Sequence, residues 1–514
     1  MSISTATPSS APAHAAATAP LQTAEVDPFG LKSVCWSFDG QRLHTSPRAD
    51  ALAGSKPEID PQALFNYLFL HVVPSPGTIF KGVQRLPPGH SVSLEGGRPV
   101  VRRQWTPRFD ELERPDFNAL KDEFRRLLQQ AVARQLDGSK PAAFLSGGTD
   151  SSTIAGMVGL AAGRPAATYS IGFEAQGYDE MAYARIAAHH FGNEHHEYYV
   201  TPADLVREMP TVAASYDQPF GNSSAVPAYC CALMAKQDGV TKMLAGDGGD
   251  ELFGGNSRYA KQRVFEWYRL LPAALRRGLL EPALGGDRVR RLPLLRKAAS
   301  YVEQARAPLP GRMDFYNQLL RLGTGRVLTE RFLAAVDAQS LQREQQAAWD
   351  AAAPASALNL HLAFDWRYTL AETDLPKVIG TTRLAGLDVG FPMLDDDLVK
   401  FSLRLPSSYK LRGGELRWFF KEALRGFLPD EILRKKKQGF GLPFGVWLVD
   451  NPALQASAAD ALGTLSDRGV VRADFMQQLL GQQLREHPGY YGEMVWILTM
   501  LEHWLRAKAP DWRL

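Results

Sequence analysis

Between residues 142 and 251, apolar runs of strand length alternate with helical stretches, and no other feature restricts the fold as strongly. "PAAFLS" reads as a buried strand and "SSTIAGMVGLAA" as a helix. "AATYSIGF" is a second strand, "MAYARIAAHHF" a helix, "EHHEYYV" a strand, and "KMLAGDGGDE" a strand that ends in acid. Strands joined through helices pair in parallel with right-handed crossovers, so the expected class is α/β with a parallel sheet. Past about residue 260 the pattern is mostly helical, down to "EMVWILTMLEHWLRAKAP".

Ligands of such sheets gather at the carboxyl ends of the strands, and two strand ends here carry polar text. The first is "FLSGGTDSS". A strand ends at Leu145, and Ser146-Gly147-Gly148 lets the backbone turn tightly and approach a ligand without Cβ interference. A helix starting near Asp150 aims its unpaired N–H groups and positive dipole end at the same place. The hydroxyls of Ser146, Ser151 and Ser152 can donate to phosphate oxygens. Asp150 would repel phosphate unless a divalent cation bridges them, and an oxygen-only ligand set suits Mg²⁺. No Gly-Lys-Ser/Thr follows, so this is not the Walker loop. On this segment alone a plain Gly-Gly turn with Asp150 as helix cap stays open. The second strand end, "LAGDGGDELFGG" (244–255), places Asp247, Asp250 and Glu251 among glycines. Two such ends suit a metal–polyphosphate clamp.

The flanking text is simpler. Residues 1–26 are Ala, Ser, Thr and Pro with almost no large apolar side chain, and they lack the basic start and apolar middle of a secretion signal. Such a segment is expected to be disordered. Residues 27–108 read as a small β-rich region, with a hairpin around Gly96-Gly97 in "SVSLEGGRPVVRRQW" and a short helix at "PQALFNYLFLHVV". It is thin for an independent core and should pack on the larger unit C-terminal to it. That unit, residues 109–514, opens on the amphipathic helix "LKDEFRRLLQQAVARQL" with Leu120, Phe124, Leu127, Leu128, Ala131 and Leu136 on one face. The arginine-rich span 276–297 reads first as a solvated helix face and second as a docking patch for an acidic partner. A net charge of +3 sets no field for nucleic acid. Cys35, Cys230 and Cys231 make neither a disulfide framework nor a metal spacing. No apolar run approaches the ~18 residues of a membrane span, so neither a membrane nor a nucleic-acid partner is expected, and cytoplasmic residence follows by default.

The motifs resemble a known family. "LSGGTDSS" is similar to the pyrophosphate loop of N-type ATP pyrophosphatases. "SIGFE…YDEMAYARIAAHHFGNEHHE" followed by "LAGDGGDELFGGNSRY" resembles the synthetase domain of asparagine synthetases. The likeness continues through "LPKV", "FPMLDDDLVKFSLRLP", "KKKQGFGLP" and "WILTMLEHWLR", over about residues 110–510, and residues 60–106 resemble the tail of that family's glutaminase domain. The resemblance implies an adenine nucleotide alpha hydrolase-like core with a helical C-terminal part, preceded by a small β-rich remnant. It also implies ATP and Mg²⁺ as cofactors and activation of a carboxylate as an acyl-adenylate. Ser146, Gly147, Gly148, Asp150 and Ser151 would hold pyrophosphate, with Asp150 and Asp250 on the metal. The backbone at Leu145, Ile171, Ala245 and Gly246 would line the nucleotide. Lys437 would meet charge developing on the phosphates, although by itself it reads as a solvated charge in "RKKK".

The chain departs from the family in three places. The family's glutaminase works through an N-terminal cysteine, whereas residue 2 here is Ser and Cys35 lies far inside. Glutamine hydrolysis is therefore not expected, and nitrogen would come from ammonia, an amine or a separate glutaminase or pathway partner. At Asp247 the family carries Glu or Tyr; Asp could act as general base or simply as a second metal or cap carboxylate. In "KVIGTTRLAGLDVGFPMLD", Ile379, Gly380 and Gly390 replace charged family residues, which points away from aspartate, while Glu372, Asp374 and Lys377 stay without assigned roles. The expected function is an ATP-dependent, AMP-forming amide ligase acting on a non-aspartate small-molecule or peptide carboxylate in a specialised pathway. A cyclase joining two ends of one substrate is a variant of this. The alternatives are an ammonia-using asparagine synthetase and a non-catalytic nucleotide-binding relative.

Overall fold

Short strands dominate the first described part of the chain: β1 (Thr23–Glu25), β2 (Cys35–Phe38), β3 (Leu43–Ser46), then helix α1 (Pro61–Leu70), β4 (Val83–Arg85), β5 (His90–Glu95) and β6 (Arg98–Arg103). The computed structural model describes residues 23–285, 293–352, 355–436, 439 and 441–514. One small antiparallel sheet runs β1-β5-β6 and another β3-β2-β4. Gly96 and Gly97 join β5 to β6 with positive φ at both, 54° and 76°, as a two-residue hairpin turn requires. The expected disorder through residue 26 ends earlier, because β1 pairs with β5 at Thr23–Ser93; its first 22 positions lie outside the described residues.

As its thin core demands, this region buries itself on the rest of the chain. The Tyr67 hydroxyl donates to the Ile497 carbonyl at 2.8 Å, the Phe80 and Trp504 rings lie 5.9 Å apart, and Ala49 N–H donates to Asp217 at 2.8 Å. One continuous apolar cluster joins Leu64, Phe65 and Leu68 of α1 to Trp496, Leu501 and Trp504 of the closing helix Pro488–Lys508.

Next comes α2 (Phe117–Gln135), capped by the Asp116 side chain, with Leu120, Phe124, Leu127, Leu128, Ala131 and Val132 buried. Leu136, expected on that face, lies past the last turn as the C-cap residue. The alternating segment then gives β7 (Ala142–Phe144), α3 (Thr149–Ala162), β8 (Ala167–Phe173), α4 (Met181–Phe191), β9 (Glu194–Val200), α5 (Pro202–Ser215), α6 (Ala225–Gln237), β10 (Lys242–Leu244), α7 (Gly249–Phe253) and α8 (Ser257–Leu270). A last strand, β11 (Asp388–Gly390), completes a five-stranded, wholly parallel sheet in the order β11-β10-β7-β8-β9. Six of the seven residues of β8, Ala167, Thr168, Tyr169, Ser170, Gly172 and Phe173, are buried, as a strand covered on both faces must be. Successive strands build outward from β7 on one side and from β10 on the other. The β7/β10 boundary is therefore the point where strand order reverses, the usual ligand crevice of such sheets. The rest is mostly helical, apart from one short hairpin, and no described helix is long and apolar enough to cross a membrane.

Candidate active site

Both glycine-and-acid segments emerge at that boundary. After β7 the backbone turns through Gly147 at φ 70°, and α3 begins with Gly148 as its cap residue, leaving the cap without a side-chain bond and Asp150 in the first turn. Asp150 is thus not the helix cap. Ser151 knits the loop instead: its hydroxyl receives the Ser146 N–H at 3.1 Å, lies 3.0 Å from the Ser146 hydroxyl and donates to the Gly148 carbonyl at 3.2 Å. Gly147 sits against α4, where a Cβ would lie 2.5 Å from the Ala184 nitrogen. After β10, Ala245 N–H donates to the Gly390 carbonyl at 2.9 Å, and a Cβ on Gly246 would lie 2.8 Å from the Ser151 nitrogen. Glycine at 246 is what lets the two loops touch.

A cavity of about 880 Å³ opens between them. Among the expected site residues Leu145, Ser146, Gly148, Asp150, Ser151, Ile171, Gly246, Asp247 and Asp250 line it. Gly147 and Ala245 lie behind its wall, shaping the turns rather than facing the space. Lys437 lies outside the described residues.

Asp150 and Asp250 converge, as a shared cation requires, and the group they converge on is a side chain that sequence reasoning missed. Arg417, 4% exposed and in the left-handed conformation (φ 56°), donates to both carboxylates, one bond to Asp150 measuring 2.6 Å. Its Nε has no partner, and its guanidinium lies 5.5 Å from the Phe420 ring centre. Arg417 follows the two-stranded hairpin β12 (Leu411–Arg412) and β13 (Glu415–Leu416), whose tip is Gly413-Gly414. A second missed cation is Lys435, 2.8 Å from Glu180 and donating to the Gly147 carbonyl at 3.2 Å. Nothing in the local text sets Arg417 apart from the other cations among 58 Lys and Arg; only the neighbouring Gly-Gly hints at a turn there.

The carboxylate pair is an all-oxygen set that meets on the Arg417 guanidinium, which fits a hard divalent cation. Asp150 and Asp250 would hold it, with further oxygens coming from a phosphate ligand.

The other end of the cavity is acidic. Lys377 lies 3.3 Å from Asp374 and 3.9 Å from Asp247. Burial, only partly offset by Lys377 and reinforced by Asp374, raises the Asp247 carboxyl to about 6. Burial opposes the Lys377 ammonium, yet Asp374 and Asp247 together lift it above its usual value. Burial, with Asp374 and Asp365 nearby, pushes Glu251 well above the carboxylate range. Glu372 is elsewhere: 3% exposed, it accepts from Ser75 at 2.6 Å and pairs with Arg85 and Arg367. Burial works against its charge, but the two guanidiniums hold its carboxyl below the usual value. Ile379, Gly380 and Gly390 do not line the cavity. Gly380 packs on the Tyr216 ring, where a Cβ would come within 2.5 Å, and Gly390 lies against Leu244. Both glycines are closely packed, leaving no room for a larger side chain at either position as the neighbours stand.

Known proteins resemble the chain over most of its length. The chain is 25% identical over 464 residues to asparagine synthetase (glutamine-hydrolyzing) 1 of Bacillus subtilis (strain 168), covering 88% of this chain and 70% of that one. It is 28% identical over 439 residues to a Mycobacterium tuberculosis (strain ATCC 25618 / H37Rv) protein provisionally named asparagine synthetase (glutamine-hydrolyzing), covering 82% and 65%. Amidase chry2 of Gibberella zeae (strain ATCC MYA-4620 / CBS 123657 / FGSC 9075 / NRRL 31084 / PH-1) is 24% identical over 421 residues, covering 72% and 60%. The chain thus spans about two thirds of these relatives' lengths. The parallel sheet with its helical C-terminal part is an ATP pyrophosphatase-like core, and the family supports ATP-dependent amide-bond formation in general. The asparagine synthase profile matches residues 123–506, three quarters of the sequence, and the chain belongs to the asparagine synthase family.

Proposed function

We propose that the chain activates a carboxylate with ATP, releasing pyrophosphate, and passes the acyl group from AMP to ammonia or an amine. The substrate carboxylate oxygen attacks the α-phosphorus and the pyrophosphate oxygen leaves. The nucleophile's nitrogen then attacks the acyl carbon, AMP departs, and the surplus proton of the amine passes to Asp247. Ser146, Gly148 and Ser151 would receive the departing phosphates on N–H and hydroxyl groups, and Leu145, Ile171 and Gly246 would line the nucleotide. Mg²⁺ held by Asp150 and Asp250 would supply positive charge to the pyrophosphate. In that state Arg417 would give up part of its hold on the carboxylates and turn toward the phosphates; Lys437 remains part of the reading as a further cation for the developing charge.

The observation that carries this reading is the meeting of Asp150 and Asp250 at the β7/β10 boundary beside the phosphate-sized loop. The substrate is read as lacking a second carboxylate, because the cation nearest Asp247, Lys377, is already matched by Asp247 and Asp374. A dicarboxylate such as aspartate would place another negative charge there. Hydrolysis of glutamine by a cysteine is not part of the proposal: Cys35, Cys230 and Cys231 are all buried, and burial raises the Cys35 thiol to about 12. The proposed domain division is a docked β-rich region to about residue 108 and the synthetase unit beyond it.

Carboxylate-dependent exchange of labelled pyrophosphate into ATP, run over a panel of acids, tests the proposal. Exchange is expected with a monocarboxylate and lost in Asp150→Asn. Exchange supported by aspartate would favour the asparagine synthetase alternative, and ATP binding without exchange on any acid would favour a non-catalytic relative.

A further inference from the structure

One side of the cavity takes no part in that chemistry. It is built where the β-rich region docks: Leu70 and His71 at the end of α1, Asn222, Ser223 and Ser224 ahead of α6, and Glu493 of the closing helix all line the space. The three segments hold one another. The Gly221 N–H donates to the His71 carbonyl at 2.8 Å, and the Trp496 indole N–H donates to the Gly221 carbonyl at 3.0 Å. His71, the C-cap residue of α1, stands in the left-handed conformation at φ 65°. Glu493 precedes Ile497 by about one helical turn, and the Ile497 carbonyl is where the Tyr67 hydroxyl donates. Burial and, next to it, the Glu493 charge push that hydroxyl well above its ordinary value.

Charge decides what this side can hold. Glu493 is half-buried and makes no hydrogen bond or ion pair among the described residues. Burial alone raises its carboxyl to about 7; neither Lys377 nor Asp247 nor Asp374 acts on it, so it stands apart from the group around Asp247. The described lining cations are Lys377 and members of the stretch 417–436. The basic group on this side is His71, and burial lowers it to about 4, which leaves the ring neutral. A desolvated carboxylate without a counter-charge is costly, and nothing in the closing helix uses it as a cap. With a neutral imidazole, an amide and two hydroxyls beside it, this side is polar and short of positive charge. An anion would add repulsion here, whereas a protonated amine would find a charge-assisted partner.

We propose that this side of the cavity binds a protonated primary amine carried by one of the two substrates, with Glu493 as its counter-ion. The proposal rests on the amide-forming reading of the cavity and names a substrate class for it. Because Glu493 stands apart from Asp247, the amine it holds is a second amino group that does not react, on either the nucleophile (a diamine) or the acid (an amino acid).

Calorimetric titration of the full chain, with Mg²⁺ and a non-hydrolysable ATP analogue present, tests it with 1,4-diaminobutane, 4-aminobutyrate and the uncharged butane-1,4-diol. An amine is expected to bind and the diol not. Binding of the diamine alone assigns the held group to the nucleophile, and binding of 4-aminobutyrate alone assigns it to the acid. Glu493→Gln should weaken amine binding about tenfold, with Glu493→Asp intermediate. Burial raises this carboxyl, so its ionised form opposes folding above its pKa, and Glu493→Gln should melt no lower than the parent at about pH 8. A lower melting temperature would make the role of Glu493 structural and overturn the proposal. Binding of neither amine, or equal binding of the diol, overturns it too. So does a loss in Glu493→Gln that falls on the ATP analogue rather than on the amine, which would give the carboxylate to the nucleotide base. Absent pyrophosphate exchange beside intact amine binding would sink the reaction reading and leave the amine site.

Discussion

At Asp247 two carboxyls share one ammonium, and the consequence is that the proposed general base is tuned toward neutrality. Asp247 stands near 6 because burial disfavours its anion more than Lys377, 3.9 Å away, can restore it. A general base must be deprotonated to act, so kcat/KM should fall as pH drops through about 6, whereas an ordinary aspartate would hold its charge to about 4. Asp247→Asn should lower kcat by about 10² to 10⁴ and remove that acidic limb while ATP binding persists. Lys377→Met, which takes away the attraction, should move the limb to higher pH. Rate–pH profiles of the three proteins would decide. Arg417 makes a different prediction, readable without any activity. Replacing it with Met removes a buried guanidinium from between Asp150 and Asp250, which should cost on the order of 3 kcal/mol of stability in metal-free buffer. Added Mg²⁺ should then raise the melting temperature of Arg417→Met more than that of the parent protein, measured by calorimetry.

Among the elements, the turn after β7 is held by conformation as much as by chemistry. Gly147 lies at φ 70° with α4 pressed against it, so Gly147→Ala meets both backbone strain and overlap with Tyr183 and Ala184. A loss of about 1–3 kcal/mol is expected, read from urea unfolding, together with weakened nucleotide binding. This loop was legible in the sequence because its signal is local: a strand, two glycines and a helix start in succession. The hairpin at Gly96-Gly97 was legible for the same reason. Strand β11 was not. Its three residues, Asp388–Gly390, carry no periodicity and become a strand only by pairing with β10. The β12–β13 hairpin, two residues a side, is equally silent, and with it went Arg417. Glu372 and Asp374 stand two apart in the text yet serve separate sites. The chain between Trp366 and Asp374 is a wide π-type turn that sends Glu372 toward Arg85 and Asp374 toward the cavity. Such partings are set by tertiary contacts, which no local pattern encodes.

For the molecule as a whole, Glu372 ties the β-rich region to the sheet-bearing unit. It accepts from Ser75 and pairs with Arg85 of β4 on one side and Arg367 on the other. Glu372→Gln removes the charge from between two guanidiniums, and a loss on the order of 3 kcal/mol is expected. In limited proteolysis the region 23–105 should become the first to be cut, and an unaltered digestion pattern would show that the apolar contacts of α1 suffice. Expectation and outcome meet best at this scale, since a thin β-rich region had to bury itself somewhere.

The register of β10 on β7 has a kinetic meaning. Leu244 pairs with Ala143, residues about one hundred positions apart, and the two loops of the cavity leave the sheet just beyond that pair. Closing so long a loop is entropically slow, so strands β7, β8 and β9 can assemble from near neighbours before β10 arrives. The ability to hold a nucleotide should therefore be among the last properties gained on refolding, and a fluorescent nucleotide would time the moment the sheet becomes whole.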